Sequence, residues 1–286
     1  MYQDRMDLKS TNGINQNLPG VILIVIDGCT ADGLQKAATP NIDGIVNNGS
    51  YTFRAQTIFP TITLPCLTSM LSGAVPAWHG IYANIWFYAE RECKSIIDLA
   101  HMCGRKAAAF YDWEWLRELA SPGALEFSYF RRVAIEPKAS MDIANVCATY
   151  IMDDNPDFCF IFLGSVDTVG HSNGWMSTEY LKQIEIIDQA VGRIIEGVRK
   201  VNQMDRYYFI ILADHGGHEK IHGTERAEDM TIPWIVSGPG VKKHYEIIED
   251  VYIYDTAPTI FSLLRLPVQQ KWRGGKVIGE IFDRNA

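Results

Sequence analysis

The chain has 286 residues, 47% hydrophobic and 21% charged, a globular composition with too many apolar side chains for disorder and no collagen or coiled-coil bias. Lys plus Arg number 26 against 34 Asp plus Glu, and the net charge of -8 argues against a generic surface for nucleic acid or anionic membrane. It leaves room for a small anionic partner, because a site can be locally positive on an acidic protein.

Residues 1–19 form a polar extension without the basic start and apolar centre of a secretory signal. No apolar run approaches the ~18 residues of a membrane span. The six cysteines (Cys29, Cys66, Cys93, Cys103, Cys147, Cys159) are scattered without a CxxC pair, so the expectation is reduced thiols in the cytoplasm.

Val21–Ile26 (VILIVI) is apolar throughout, as a strand buried on both faces of a parallel sheet would be. Ser95–Cys103 and Ala139–Met152 carry helical patterns, and Phe158–Leu163 (FCFIFL) reads as a second buried strand. Thr178–Val201 repeats Leu181, Ile184, Ile187, Val191, Ile194, Ile195 and Val198 at three- and four-residue steps, an amphipathic helix. Tyr207–Ala213 (YYFIILA) predicts a third strand, and Ile232–Ser237 a weaker one because of Pro233. The alternation implies an α/β fold: a mostly parallel central sheet with helices on both faces, in one domain spanning 1–286. Trp86–Pro137 is the candidate for a less regular side lobe.

The informative residues come just past three of these strands. The first runs into Asp27-Gly28; the second is followed by Asp167 and His171 (DTVGH); the third runs into Asp214-His215-Gly216-Gly217, with His222-Gly223 soon after. In open parallel sheets, ligands bind beyond the carboxyl ends of the strands, where these loops converge. Three carboxylates and three imidazoles suffice for two metal ions with open positions. Such mixed ligation suits Zn²⁺ and is compatible with Mn²⁺ or Fe. Each element alone has a structural explanation, since Asp after a strand is a common turn or helix-capping residue. His218 competes with His222 as a ligand, whereas His79, His101 and His244 lie elsewhere in the sequence.

Phe59–Gly73 reads FPTITLPCLTSMLSG, an extended stretch bracketed by Pro60 and Pro65 before a helix. Thr63 sits where an N-cap is expected, and a hydroxyl there beside a divalent cation becomes a nucleophile. Thr61, Ser69 and the Cys66 thiol are chemical rivals, and the residues alone leave Thr61 and Thr63 close to even.

The ordered set VIDG, FPTITLPCLTSMLSG, PAWHGIYAN, DTVGH, DHGG and HG resembles the alkaline phosphatase superfamily, and within it the nucleotide pyrophosphatase/phosphodiesterase branch. The resemblance runs from about Val21 to Phe282 and includes the ending DTAPTIFSLLRLP. It implies an alkaline phosphatase-like fold with Asp167, His171 and His222 on one metal and Asp27, Asp214 and His215 on the other. It further implies Thr63 as nucleophile and Asn84 as hydrogen-bond donor to a phosphoryl oxygen. Two features depart from the branch: Leu64 stands where an aromatic residue usually stacks on a base, and Cys66 stands in place of Asn. The His215–His222 gap is short, and no CxPxR segment follows Cys66, which argues against a sulfatase.

The implied function is metal-dependent hydrolysis of a small anionic phosphate ester, of type I phosphodiesterase/nucleotide pyrophosphatase kind, through a phospho-threonine. The motif loops hold no obvious Arg or Lys to clamp a dianionic monoester, which favours a diester or pyrophosphate. The alternatives are a phosphonoacetate-type phosphonate hydrolase and a metal-binding pseudo-enzyme.

Overall fold

Strand β1 (Gly20–Ile26) is buried along its whole length, and its position in the sheet explains why every residue is apolar or glycine. It lies between β5 (Phe158–Leu163) and β6 (Tyr207–Leu212), parallel to both. The computed structural model describes residues 18–85, 93–132, 138–268 and 270–283. Five further strands complete an eight-stranded sheet: β2 (Gly49–Gln56), β3 (Ala107–Tyr111), β4 (Phe127–Phe130), β7 (Thr231–Ser237) and β8 (Tyr245–Glu246). Their order is β4-β3-β5-β1-β6-β7-β2-β8, and only β7 runs against the rest. The expected mostly parallel α/β sheet is borne out.

Register is what positions the site. Ile26 pairs with Leu163 and Val25 with Leu212, so β1, β5 and β6 all end at the same edge. Pro233 is tolerated inside β7 because it faces a bulge: the ladder to β2 jumps from the Thr52–Trp234 pair to the Ala55–Ile232 pair.

Helices Lys138–Asp154, Ser165–Asn173 and Thr178–Lys200 pack together on one face, and Thr63–Ser72, Ile96–Met102 and Thr256–Leu263 form a second group. Of the predicted stripe on Thr178–Lys200, Ile184, Ile187, Val191, Ile194, Ile195 and Val198 are buried and Leu181 partly so. Each such side chain contributes roughly 2 kcal/mol of burial. Ser177 caps that helix by accepting from the Tyr180 amide.

The described part of the 86–137 stretch, residues 93–132, adds β3 and β4 to the edge of the same sheet. Residues 86–92 and 133–137, and residues 1–17 of the polar extension, lie outside the described residues. No helix among the described residues is long and apolar enough to cross a membrane.

Candidate metal centre and active site

Beyond β1 the chain must turn sharply to aim Asp27 at the sheet edge. Gly28 makes that turn with φ +66°, and a Cβ there would lie 3.0 Å from both Cα and Cβ of Asp167. Its amide donates to Asp214 Oδ1 at 3.2 Å, and its carbonyl accepts from Trp175 Nε1 and Tyr180 Oη, both at 2.8 Å. The loop carrying Asp27 is thereby tied to the loop after β6 and to the helix layer.

DTVGH lies on the helix Ser165–Asn173, which follows β5 after a single glycine. Its four-residue spacing puts Asp167 and His171 on one helical face, His171 Nε2 being 3.5 Å from Asp167 Oδ1. His222 Nε2 comes within 3.6 Å of the same oxygen. It is delivered by a tight turn in which His218 and Ile221 exchange backbone hydrogen bonds at 2.9 Å. His215 Nε2 lies 3.3 Å from Asp27 Oδ1 and 3.6 Å from Asp214 Oδ2. Two groups result, Asp27-Asp214-His215 and Asp167-His171-His222, each with its ligand atoms within 4.8 Å of one another. The ring planes of His215 and His222 stack at 3.9 Å between the groups.

Whether these residues suit cations is answered by the imidazoles and by the carboxylates. His171, His215 and His222 each donate Nδ1–H to a backbone carbonyl, of Lys220 (2.9 Å), Gly216 (2.8 Å) and Thr61 (2.7 Å) respectively. Each Nε2 is thus the lone-pair nitrogen, turned toward carboxylate oxygens that are also acceptors. Asp27 Oδ1, Asp167 Oδ1 and Asp214 Oδ2 are buried without a hydrogen-bond partner among the described residues. Buried acceptor oxygens facing acceptor nitrogens fit a cation between them. Burial, with the charges of Asp214 and Asp167, pushes Asp27 well above the usual carboxylate range; burial also raises Asp214, opposed by His215. Burial and His215 bring His222 down to about 4.

Thr63 opens the helix Thr63–Ser72 as its first residue, a correction to the expected N-cap. Ile62 occupies the cap with extended backbone and no side-chain bond, so the Thr63 hydroxyl is not spent on capping. Instead Thr63 Oγ1 lies 3.3 Å from His215 Nε2. The rivals are engaged elsewhere. Thr61 Oγ1 donates to the Thr224 carbonyl and accepts from the Gly223 amide, both at 2.9 Å. Ser69 is fully buried against His79 at 2.9 Å, and burial pushes the Cys66 thiol far up. Asn84 Oδ1 accepts from the Leu64 amide at 2.9 Å, which leaves its NH₂ group as the donor end, without a partner among the described residues.

Thr63 and Asn84 line a cleft of ≈ 400 Å³ together with Asp27, Asp167, His171 and His222. Its other wall was not foreseen: Asp112, Trp113, Glu114 and Trp115 follow β3, and Arg132 follows β4. Asp112 accepts from the Gly164 amide at 2.7 Å, and burial pushes its carboxyl up to about 7. It obeys the same rule as Asp27, an acid directly after a strand, but AAAFY carries too weak a strand signal to reveal it. Leu64 is fully buried and does not line the cleft. His218, the rival to His222, bonds through Nδ1 to Asp229 at 2.7 Å and belongs to neither ligand group.

A mostly parallel sheet that brings two His/Asp clusters and a helix-borne hydroxyl to one edge defines an α/β fold with two candidate cation sites beyond its strands. The model of the type I phosphodiesterase / nucleotide pyrophosphatase family matches residues 21–231, and the chain belongs to that family. This bears out the resemblance drawn from the motifs. Mouse ectonucleotide pyrophosphatase/phosphodiesterase family member 3 is 27% identical over 242 residues, 75% of this chain and 26% of that protein. Human family member 1 is 26% identical over 259 residues, 82% of this chain and 28% of that protein. The chain thus spans about a quarter of the length of these relatives. Among solved structures, an inactive threonine-to-alanine form of murine ectonucleotide pyrophosphatase/phosphodiesterase 5 in complex with AMP superposes with a TM-score of 0.79 at 15% identity. That match covers 93% of this chain and 100% of the other. A 2-O glycosaminoglycan sulfatase gives 0.75 at 14% identity, covering 91% and 73%; both likenesses speak to the fold.

Proposed function

We propose that the chain is a phosphoric ester hydrolase that cleaves phosphodiester or pyrophosphate bonds through a phospho-threonine on Thr63. One observation carries the reading: the Thr63 hydroxyl, free of capping, sits 3.3 Å from a ligand of one metal cluster, in a cleft lined by the other. Asp27, Asp214 and His215 would hold one divalent ion and Asp167, His171 and His222 the second, with Zn²⁺ the ion best suited to this His and carboxylate mixture. When bound, the ions supply charge stabilisation for the phosphoryl oxygens and favour the ionised form of the Thr63 hydroxyl.

Thr63 Oγ1 attacks phosphorus, forming a P–O bond as the bond to the leaving oxygen breaks. Water then cleaves the phospho-threonine and restores the hydroxyl. Asn84, its carbonyl held by the Leu64 amide, presents its NH₂ to a non-bridging oxygen that gains charge on the way. The reading is supported by the names of the relatives, and by the AMP complex of the murine neighbour, whose inactive form lacks a threonine.

The test uses bis(4-nitrophenyl) phosphate, 4-nitrophenyl phosphate and phosphonoacetate, with metal content measured alongside. The diester is expected to be hydrolysed fastest, and Thr63→Ala to lower its rate by ~10⁴-fold or more with metals retained. Wild-type rates in that variant, a preference for phosphonoacetate, or bound metals without hydrolysis would each overturn the proposal.

A further inference from the structure

The wall of the cleft opposite the metal clusters has its own chemistry. Among the described residues lining the cleft, Arg132 alone carries a fixed positive charge. Its Nη2 lies 3.3 Å from Glu114 Oε2, with side chains 71% and 41% exposed. The adjacent Arg131 is turned to a different partner, Asp142, at 2.9 Å. Trp113, half-buried against the core, and Trp115, 41% exposed, flank Glu114 along the same wall. With Leu64 buried, aromatic surface for a substrate ring is offered by this wall and not by the helix that carries Thr63.

We propose that Arg132 is a specificity-determining residue: its guanidinium takes a second anionic group on the substrate, and Glu114 holds its place until that group arrives. This rests on the phosphodiesterase reading above and narrows it to esters or anhydrides with a negative charge beyond the one at the reacting phosphorus. Three physical points support it. An exposed ion pair contributes little, so Glu114 is readily displaced. A phosphate or carboxylate can accept two parallel N–H bonds from a guanidinium, a stronger contact than the ion pair at 3.3 Å. Three carboxylates, Asp27, Asp167 and Asp214, together with the one charge at the reacting phosphorus would balance two divalent ions, so a second substrate charge needs a cation elsewhere.

The experiment compares three chromogenic substrates on the metal-loaded protein: 4-nitrophenyl thymidine 5′-phosphate, its 3′-phosphorylated counterpart and 4-nitrophenyl phosphorylcholine. Wild type is expected to favour the 3′-phosphorylated ester in kcat/KM by roughly tenfold. Arg132→Met should lose about tenfold more on that ester than on the parent, mostly in KM, and Arg132→Lys should recover part of the difference. Glu114→Gln should widen the preference, an effect that damage to the fold does not produce. Equal losses on both nucleotide esters in Arg132→Met would overturn the proposal. So would a preference for the choline ester that Glu114→Gln removes, which would make Glu114 the recognising group. Hydrolysis of none of the three would count against the phosphodiesterase reading itself, whereas hydrolysis without charge preference counts against Arg132 alone.

Discussion

The two ligand groups are built from the same residue types but held in opposite ways. Asp27, Asp214 and His215 are buried where β1 and β6 end, with side chains 10%, 0% and 0% exposed. Asp167, His171 and His222 are assembled from a helix and a returning loop, with side chains 16%, 44% and 12% exposed. In the inner group, burial raises both carboxylates; the charges of Asp214 and Asp167 push Asp27 further up, whereas His215 opposes the rise at Asp214, so ionised acids there favour a cation between them. In the outer group His171 stays open to solvent and carries its orientation in one bond to Lys220. An ion in the inner site is therefore expected to be part of the fold, and one in the outer site to be exchangeable.

The sharpest way to break that contrast is to remove one ligand from each group. Asp214→Asn is expected to empty the inner site and abolish diester hydrolysis at any metal concentration. His171→Ala should weaken the outer metal by at least ~10–100-fold, with activity returning as metal is added. Metal content after dialysis, followed by an activity titration, gives both readings. Recovery of Asp214→Asn with added metal, or irreversible loss in His171→Ala, would erase the distinction.

Both ligand groups were legible in the sequence, for a reason that lies in the sheet. A strand buried on both faces must be continuously apolar, so VILIVI, FCFIFL and YYFIIL announce themselves, and Asp27, Asp167 and Asp214 stand out within four residues of where these runs end. β3, as AAAFY, is five residues with three alanines, and β4, as FSYF, alternates because it lies at the sheet edge. Neither pattern separates strand from helix or loop, so Asp112, the tryptophans and Arg132 stayed invisible. Thr63 was found for partly the wrong reason. The helix starts there, one residue after the cap, and Pro65 at its third position is accepted because an N–H in the first turn has no helical partner. Loop residues brought to the cleft by tertiary contacts alone leave no periodicity to detect.

A smaller effect is expected where the nucleophile helix meets the Asn84 loop. The Ile81 amide donates to His79 Nδ1 at 3.1 Å, so the ring proton sits on Nε2 and is given to Ser69 Oγ at 2.9 Å. This neutral imidazole, brought down to about 4 by burial, pins the PAWHGIYAN loop to the helix that Thr63 begins. His79→Ala should lower kcat by roughly tenfold while both metals stay bound, and His79→Gln should lose less. Metal loss in step with activity would mean that His79 supports the ligand groups as well, and the two halves of the site would not be separable.

The smallest expected effect tests the inner group without activity as the readout. In chelator, an ionised Asp27 is a buried charge held against Asp214 and Asp167. Its folded-state pKa is raised, so the metal-free fold binds the proton more tightly than the unfolded chain and loses stability as pH climbs through that raised value. Asp27→Asn removes the charge at every pH. Its melting temperature in chelator at pH 8 should therefore exceed wild type by a few degrees, and the gap should close as pH falls toward the ordinary carboxylate range. Added metal should reverse the order, because binding at 100 times Kd stabilises the wild type by about 2.7 kcal/mol and the variant far less. A variant less stable than wild type in chelator at pH 8 would mean that Asp27 is satisfied by the protein itself. The inner group would then be a structural acid pair, no more dependent on a cation than the outer one.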